Sequence, residues 1–391
     1  MPGYELIDNN ELKEIQKIFK NGGVLFRHSF ENLRKNKYYV RDFENKFSKK
    51  FKVSYSLAVS SGTAALRVAL STLNLKPDDE VITQSFTFVA TVEAIIEARA
   101  KPICCEIDKT LNIDVKDLIK KINRKTKAII VVHMLGSPAE IKKIHSICKK
   151  RNIALIEDTA WGIGATVQRK YLGTWGRMGT FSFDYAKTIT TGEGGMVVFK
   201  NKKDYLKAKA WHDHGHENNP KVPRWEDTRS GSGFNYRMTE LQGAVGIAQL
   251  RKVDTILQNQ RRNKKIIWDL IKRIDGIYPR REPEESRDSC DALVFFVKSK
   301  QVALNCRKEL LKINISTKIL PEATKWHFAY EWDHMPELYK NNKSSFRASL
   351  RKSKKIIEKA VSIPISAVKD NFPASPEKIY KALAKAVKEI I

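Results

Sequence analysis

The stretch Gly179-Thr180-Phe181-Ser182-Phe183-Asp184-Tyr185-Ala186-Lys187-Thr188-Ile189-Thr190-Thr191-Gly192-Glu193-Gly194-Gly195-Met196-Val197-Val198-Phe199 decides how the chain is read. It has the pattern of a short buried strand, a loop with one lysine at its turn, a glycine hinge and a second strand. Burying an ammonium costs on the order of several kcal/mol unless it is paired or chemically modified. A lysine that forms an imine with an aldehyde escapes that cost and gains a function. Two readings of Lys187 stand here. One is a solvated loop lysine, in a chain whose Lys+Arg total is 72; the other is a lysine that carries a cofactor aldehyde.

Working outward toward the N-terminus, helices and strands alternate. Tyr55–Ser60 reads as a strand, and Ser61-Gly62-Thr63 then opens a helix over Ala64–Leu73. Strand, small-residue turn, helix points backbone N–H groups at an anion. The turn lacks the lysine of a P-loop and the spacing of a dinucleotide fingerprint, so it suits a single phosphate group or serves as a plain helix cap. Strands follow at Glu80–Thr83, Lys101–Glu106, Ala128–His133 and Ile153–Ile156, with Phe86–Thr91 leading into a helix at Val92–Ala98 and further helices at Val115–Ile122 and Ala139–Lys150. The nearly continuous apolar run Ala128–His133 is what a strand covered on both faces requires. This alternation predicts an α/β domain with a mostly parallel sheet. In such sheets the ligand crevice lies at the carboxyl ends of the strands, where Asp158, His133 and the Ser61 turn all fall. Asp158 reads as a ligand group or an N-cap, and His133 as a satisfied buried histidine ahead of a substrate residue.

The flanks complete the outline. A helix over Glu11–Phe19 places Leu12, Ile15, Ile18 and Phe19 on one face, and a second around Tyr39–Phe51 carries Phe43 and Phe47 on a common side. After the lysine strands come a helix at Lys202–Trp211 and the loop His212–Glu217. Its histidines, two apart, lack the spacing of most zinc sites, and no metal is expected. The polar loop Asn218–Gly233 reads as mobile or as part of a subunit contact. Thr239 or an earlier residue caps a long helix, predicted over 238–274. Beyond it, strands at Ala292–Val297 and Ile315–Ile319 flank a helix at Val302–Ile313, with further helices at Phe346–Lys359 and Pro376–Ile390. Residues 1–250 are expected to form a large domain with an N-terminal arm, and 251–391 a small α+β domain, joined by the long helix.

Composition bounds the function. The chain has 391 residues, 42% of them hydrophobic and 9% aromatic, which is ordinary for a folded protein. Its formal charge is +28. The basic residues are spread through Lys13–Lys52, Lys116–Lys127, Lys200–Lys209, Lys264–Lys272 and Arg351–Lys359, interleaved with Ile, Leu and Ala as on solvated helix faces. A nucleic-acid binder would concentrate them. No nucleic-acid partner is expected, and a regulatory or nucleic-acid-binding protein on the same scaffold is the different-class rival. No apolar run approaches the roughly 20 residues of a membrane span, and Met1–Lys20 has no signal-like apolar region, so a cytoplasmic protein with no membrane partner is expected. The five cysteines, Cys104, Cys105, Cys148, Cys290 and Cys306, are irregularly spaced and read as reduced, buried thiols.

Chemistry with pyridoxal 5′-phosphate needs a lysine, a carboxylate at the ring nitrogen, a stacking group and phosphate donors. The motifs Ser60–Leu66, Phe86–Thr91, Ile156-Glu157-Asp158-Thr159-Ala160, Phe181-Ser182-Phe183 with Lys187 and Gly192–Gly195, and Asn235–Glu240 occur in an order that resembles the DegT/DnrJ/StrS family of sugar aminotransferases. The resemblance is strong over residues 20 to 260 and looser in the tail. It implies a fold type I, aspartate-aminotransferase-like architecture, a large three-layer α/β/α domain plus a small C-terminal α+β domain, and a homodimer with shared active sites. It also implies pyridoxal 5′-phosphate as cofactor, a sugar substrate and, as donor, glutamate. By position, Lys187 resembles the Schiff-base lysine, Asp158 the partner of the ring nitrogen, Phe88 the stacking aromatic, and Ser182 with Ser61, Gly62 and Thr63 the phosphate binders. Asn235 resembles the asparagine that reaches the phosphate from the neighbouring subunit. Where the family usually has Gln or His, this chain has Trp161, which leaves its contact to the cofactor's phenolic oxygen open. Substrate candidates are His133, Tyr185, Arg237, Lys318 and His327, with Arg229 a further cation. Thr317–Glu322, Trp326-His327-Phe328 and Asp213–His216 are similar to the branch that aminates the C8 aldehyde of an octulosonate sugar (8-amino-3,8-dideoxy-manno-octulosonate) for cell-surface polysaccharide or lipopolysaccharide synthesis. A nucleotide-linked 3- or 4-keto sugar is the alternative substrate.

Overall fold

The computed structural model describes residues 3–219, 221–339 and 342–388. Seven strands form the central sheet in the order Tyr55–Val59, Gly195–Phe199, Met178–Ser182, Ala154–Asp158, Thr126–Val132, Glu80–Gln84, Lys101–Cys105. Gly195–Phe199 pairs antiparallel with both neighbours, and the remaining pairs are parallel. One reversed strand therefore sits in an otherwise parallel sheet. Side-chain alternation sends neighbouring residues of a strand into opposite cores. Leu57, Ile130, Ile156 and Val197 pack with Ala65, Leu66 and Val68 of the helix Gly62–Ser71. Ala58, Met196 and Val198 meet Phe43 and Phe47 of the helix Tyr39–Phe51 on the other face, while Ile129, Val131 and Leu155 meet Ile141 and Ile144 of the helix Ile141–Arg151. The result is the three-layer α/β/α arrangement expected of fold type I.

A helix of 32 residues, Glu240–Ile271, connects the two halves of the chain. Thr239, rather than an earlier residue, caps it in a reciprocal capping box with Gln242. Its C-terminal end packs into a second core with a three-stranded antiparallel sheet, ordered Tyr278–Pro279, Ala292–Phe296, Ala360–Pro364, and the helices Lys300–Leu311 and Pro376–Lys388. The last two residues of the helix expected over Pro376–Ile390, like residue 220 of the 218–233 loop, lie outside the described residues. No helix among the described residues is long and apolar enough to cross a membrane. All five cysteines are buried and free.

Two expectations for the outer elements need correction. Ile315–Ile319 is not a strand. It meets Ala360–Pro364 only at Ser362, where Lys318 N donates to Ser362 O and Ser362 N to Leu320 O, and Pro321 then supplies no donor to extend the pairing. The missed strand Ala360–Pro364 takes its place in the sheet. The helix expected over Phe346–Lys359 is broken into Lys343–Ala348 and Arg351–Ile357, with fully buried Leu350 between them. The first helix, Asn9–Lys20, buries Ile18 of its apolar face but not Leu12 or Phe19. Glu11 and Glu14 turn inward because Gln249, Arg251 and Lys252 of the long helix supply their partners, which leaves Leu12 and Phe19 50% and 61% exposed.

The segment 280–291 bridges the two halves. Ser286–Arg287 pairs with Thr166–Val167, and Ser289 N donates to Gly136 O. This brings Ser289 and Asp291 beside the carboxyl ends of the main strands.

Candidate active site

Because the parallel strands all end on one side, the segments that leave them gather around one cavity of about 390 Å³. Ser61, Gly62 and Thr63 line it from the end of Tyr55–Val59, Thr87, Phe88 and Thr91 from beyond Glu80–Gln84, and Asp158 and Trp161 from the end of Ala154–Asp158. Ser182, Tyr185 and Lys187 come from beyond Met178–Ser182, and His327 from the tail. Ten of the fourteen site candidates named from the sequence are thereby brought together, with His327 reaching them because Thr87 N donates to His327 O. Tyr185 is 54% exposed, at the mouth.

The helix Gly62–Ser71 aims its start at this space. Ser61 caps it, accepting from Ala64 N at 3.0 Å, so the first helical amides have no partner inside the helix. Gly62 lies against Ser182: a Cβ there would stand 2.7 Å from Ser182 Cβ and 2.9 Å from its Oγ. Gly195 passes equally close on the other side, where a Cβ would meet Ser61 O at 2.2 Å. Gly192, at φ +79°, makes the turn back into the reversed strand. Backbone amides, a hydroxyl and the absence of side chains form a cradle for one anionic group.

Asp158 is 7% exposed, and its oxygens accept from Ala160 N at 3.0 Å and Thr91 Oγ1 at 3.4 Å. Burial raises its pKa, against the lowering effects of the Ala160 amide, the Lys187 ammonium, His133 and Thr91. A buried carboxylate whose direct donors are one amide and one hydroxyl fits a cationic ring nitrogen. Lys187 is half-buried, and among the described residues its ammonium makes no ion pair. It lies over Trp161, with Nζ 3.4 Å from the ring centroid. Burial lowers its pKa to about 8; Asp291 and Asp184 oppose this, Lys318 adds to it, and Asp158 opposes it. Phe88 is stacked on Trp326 at 6.2 Å and 6°, and tilted against His327 at 5.3 Å. His327 Nδ1 lies 3.0 Å from Ala323 O, which can only accept, so Nδ1 carries the proton and Nε2 is left as an acceptor. Burial pulls the His327 pKa to about 4, with the Ala323 bond opposing and Lys187 assisting, so the ring is neutral at pH 7. These groups fit pyridoxal 5′-phosphate: a cradle for its phosphate, a carboxylate for its nitrogen, an aromatic for its face and an amine for its aldehyde.

The remaining candidates lie elsewhere. His133 is fully buried behind the site, with Nδ1 accepting from Ala139 N at 3.1 Å and Nε2 donating to Glu157 at 3.2 Å; it is a packing residue, not a substrate contact. Arg237 is bound to Asp213 at 2.5 Å, in a cluster with His28 and Arg224, and does not line the cavity. Arg229 does not line it either; it bridges to His216. Lys318 is 4% exposed and paired with Asp291 at 2.5 Å, so a substrate cannot reach it as a free cation. Asn235 is exposed and lies outside its own chain's cavity, bridging to Asp213. In the histidine loop, His216 contacts Asp227 and His212 contacts Lys209 O, and among the described residues no group of His, Cys, Asp and Glu is placed to hold a metal.

Sequence reasoning passed over two groups. Glu157 accepts from the amides of Gly173, Trp175 and Gly176 at 2.9, 2.6 and 2.7 Å and fixes the turn before Met178–Ser182. Its neighbour Asp158 faces the opposite way, so one acid organises backbone and the next faces the cavity. Asp291, from the far half of the chain, is the strongest favourable charge on Lys187. No local signal marked either one.

Residues 9–371 match the DegT/DnrJ/EryC1/StrS aminotransferase family. A GDP-perosamine synthase of Vibrio cholerae is 38% identical over 275 residues, covering 67% of this chain and 68% of that protein. One from Escherichia coli O157:H7 is 42% identical over 224 residues, 57% and 60% of the two chains. Among solved structures, the Escherichia coli GDP-4-keto-6-deoxy-D-mannose-3-dehydratase with bound hydrated PLP superposes with a TM-score of 0.82 at 25% identity, covering 99% of both chains.

Proposed function

The chain belongs to the DegT/DnrJ/EryC1/StrS aminotransferase family and is a pyridoxal-phosphate-dependent sugar aminotransferase, and from that premise we propose that it moves an amino group from glutamate to the keto carbon of a nucleotide-linked sugar. The observation that carries the catalytic part is the meeting of Lys187, Asp158 and the Ser61-Gly62-Thr63 helix start in one cavity. Bound pyridoxal phosphate supplies an aldehyde that takes up the amino group and a ring that accepts electrons from the reacting carbon. The amides of Gly62 and Thr63 and the Ser182 hydroxyl would hold its phosphate. The Asp158 carboxylate would keep its ring nitrogen protonated, and Phe88 would cover one face. Lys187 would anchor it between turnovers.

With its Nζ free, the Lys187 amine would take the proton from the donor Cα and hold it for return within the same half-reaction. An amine with a pKa of about 8 both accepts and releases protons near neutral pH. On the return half the same nitrogen carries the proton the other way. The donor's C–N bond becomes C=O, and the sugar's C=O becomes C–N, so the exchange balances without an outside oxidant. His327, neutral and adjacent to Phe88, offers Nε2 to a substrate hydroxyl, and Tyr185 stands at the mouth.

Two relatives named GDP-perosamine synthases support a nucleotide-linked substrate. The octulosonate reading rests on tail residues of which Lys318 is paired with Asp291 and Glu322 with Arg307, leaving His327 as the one that lines the cavity. The active unit is a homodimer in which Asn235 serves the partner's cofactor. Its exposure away from its own cavity supports this, as does the apolar surface of Leu12, Phe19, Leu25, Phe30 and Leu33, each at least 40% exposed. To test the substrate, the pyridoxamine-loaded protein is incubated with GDP- and dTDP-linked 4-keto sugars and, in parallel, with an 8-oxo octulosonate. Return of the aldehyde-form spectrum together with an amino-sugar mass is expected from a nucleotide-linked sugar. Conversion of the octulosonate alone would replace this reading.

A further inference from the structure

Trp161 has two cations beside it. Lys187 Nζ lies 3.4 Å from its ring centroid and Lys318 Nζ 5.0 Å from the same point. Lys318 is paired with Asp291, 1% exposed, so the more distant ammonium is fixed in place. The backbone of Trp161 is fixed as well, because Ser289 Oγ donates to Trp161 O at 3.0 Å, and the His327 ring stands 6.5 Å away at 56°. The indole therefore has little freedom, while Lys187 hangs from a loop. An indole cannot accept a hydrogen bond at its N–H; what it offers an ammonium is the negative face of its ring.

We propose that Trp161 is a positioning residue for the catalytic lysine: its face receives the Lys187 ammonium whenever Nζ is not bonded to the cofactor, and keeps it within the cavity rather than in solvent. The inference rests on the reading of Lys187 as the cofactor lysine. During turnover Lys187 spends part of each cycle released, and a four-carbon side chain released beside an open mouth would otherwise sample water. Proton transfer needs the amine within hydrogen-bond reach of the reacting carbon, so holding it nearby preserves the orientation that the chemistry requires. A ring face is suited to this task because it attracts a cation without competing for its proton, as a carboxylate would.

The charges around Nζ agree with that division of labour. Asp291, Asp184 and Asp158 favour the ammonium, and Lys318 and burial oppose it. His327, with its pKa near 4, adds no charge at neutral pH. Among the described residues none of the three carboxylates pairs directly with Nζ, and the direct contact to the cation is the indole.

The test reads the lysine itself. Loading with pyridoxamine 5′-phosphate leaves Nζ free, and the pH dependence of Lys187 acetylation by acetic anhydride, followed by peptide mass spectrometry, gives its midpoint. Trp161→Leu should lower that midpoint by about one pH unit, the size of a desolvated cation–π contact. Trp161→Phe should lose less than half as much. Site-specific replacement of Trp161 by tetrafluorotryptophan keeps the shape while weakening the ring face, so it must also lower the midpoint even if the leucine variant folds poorly. An unchanged midpoint in the fluorinated protein, or equal falls for Phe and Leu, would overturn the proposal. The same profile on cofactor-free protein separates the two claims: failure to bind pyridoxal phosphate would remove the functional reading, while the Trp161 contact would still be decided by its own midpoint.

Discussion

Gly62→Ala is the sharpest probe of the phosphate cradle. In most helices alanine outperforms glycine by about 1 kcal/mol, so a neutral or stabilising effect is the default at a helical position with ordinary φ. Here the added carbon would stand 2.7 Å from Ser182 Cβ and 2.9 Å from its Oγ, closer than packed atoms tolerate. The first of these is not the end of a flexible chain, so either the helix start or the strand end must shift. Overpacking of this kind costs about 1–3 kcal/mol. Both elements that can yield carry the proposed phosphate donors, so the cost falls on cofactor binding. At about 1.4 kcal/mol per decade this is a five- to 150-fold weaker Kd for pyridoxal phosphate. Titration of cofactor-free protein, followed by the visible absorbance of the bound form, measures it, and the melting temperature of the cofactor-free protein separates binding from folding. Ser182→Gly in the same background removes the atoms being struck, and the double mutant should regain part of the loss, the remainder being the missing hydroxyl. If Gly62→Ala binds as tightly as the parent, or if Ser182→Gly returns nothing, the cradle is not where the phosphate sits.

Lys187→Ala should give a protein without the visible band of bound cofactor, and turnover should fall by about 10²–10⁴-fold from the lost proton transfer alone; retained steady-state activity would contradict the assignment. Asp158→Asn keeps the shape and removes the charge, so cofactor affinity and kcat should both drop while the cofactor-free protein melts no earlier, because a buried carboxylate is no longer desolvated; unchanged kinetics would give the ring nitrogen another partner. With Lys187 titrating at about 8, its neutral fraction climbs from about one tenth at pH 7 to about nine tenths at pH 9, so the rate of cofactor incorporation should rise roughly tenfold over that span and then level off; a flat profile would refute it. Phe30→Glu combined with Leu33→Glu should turn the dimer into monomers by light scattering and weaken cofactor binding if Asn235 crosses the interface; a monomeric parent protein would remove that prediction.

Much of the sheet and its helices was legible because their signals are local. Val115–Lys121 shows its apolar spacing, Thr126–Val132 its continuous apolar run, and Glu240–Ile271 its capping threonine within a few residues of the element itself. The lysine loop was legible for the same reason, since both its strands flank it in sequence. What failed depended on distant partners. Glu11 and Glu14 look like a solvent face until residues 249–252 arrive to pair with them. Ile315 and Ile319 look like a strand, but their segment meets the strand 360–364 only at Ser362 before Pro321 stops the pairing, and those five residues of strand were hidden behind a helix-like run. At the site, Arg237 and Lys318 looked like free cations because Asp213 and Asp291, 24 and 27 residues away, are invisible to any short window.

The single reversed strand has a consequence for how the enzyme tolerates change. Because Met178–Ser182 and Gly195–Phe199 are hydrogen-bonded neighbours inside the sheet, the loop between them is pinned at both feet to adjacent strands. Its contour length acts as a ruler that sets how far Lys187 can extend. Elsewhere in a sheet of long crossovers an inserted residue can be absorbed by a helix sliding or a turn bulging. Here the turn Asp184–Lys187 is closed on itself, Ala186 N donating to Asp184 Oδ1 and Lys187 N to Asp184 O. A one-residue insertion between Asp184 and Lys187 would move the amine rather than the scaffold, so length, more than composition, is the property this loop must conserve.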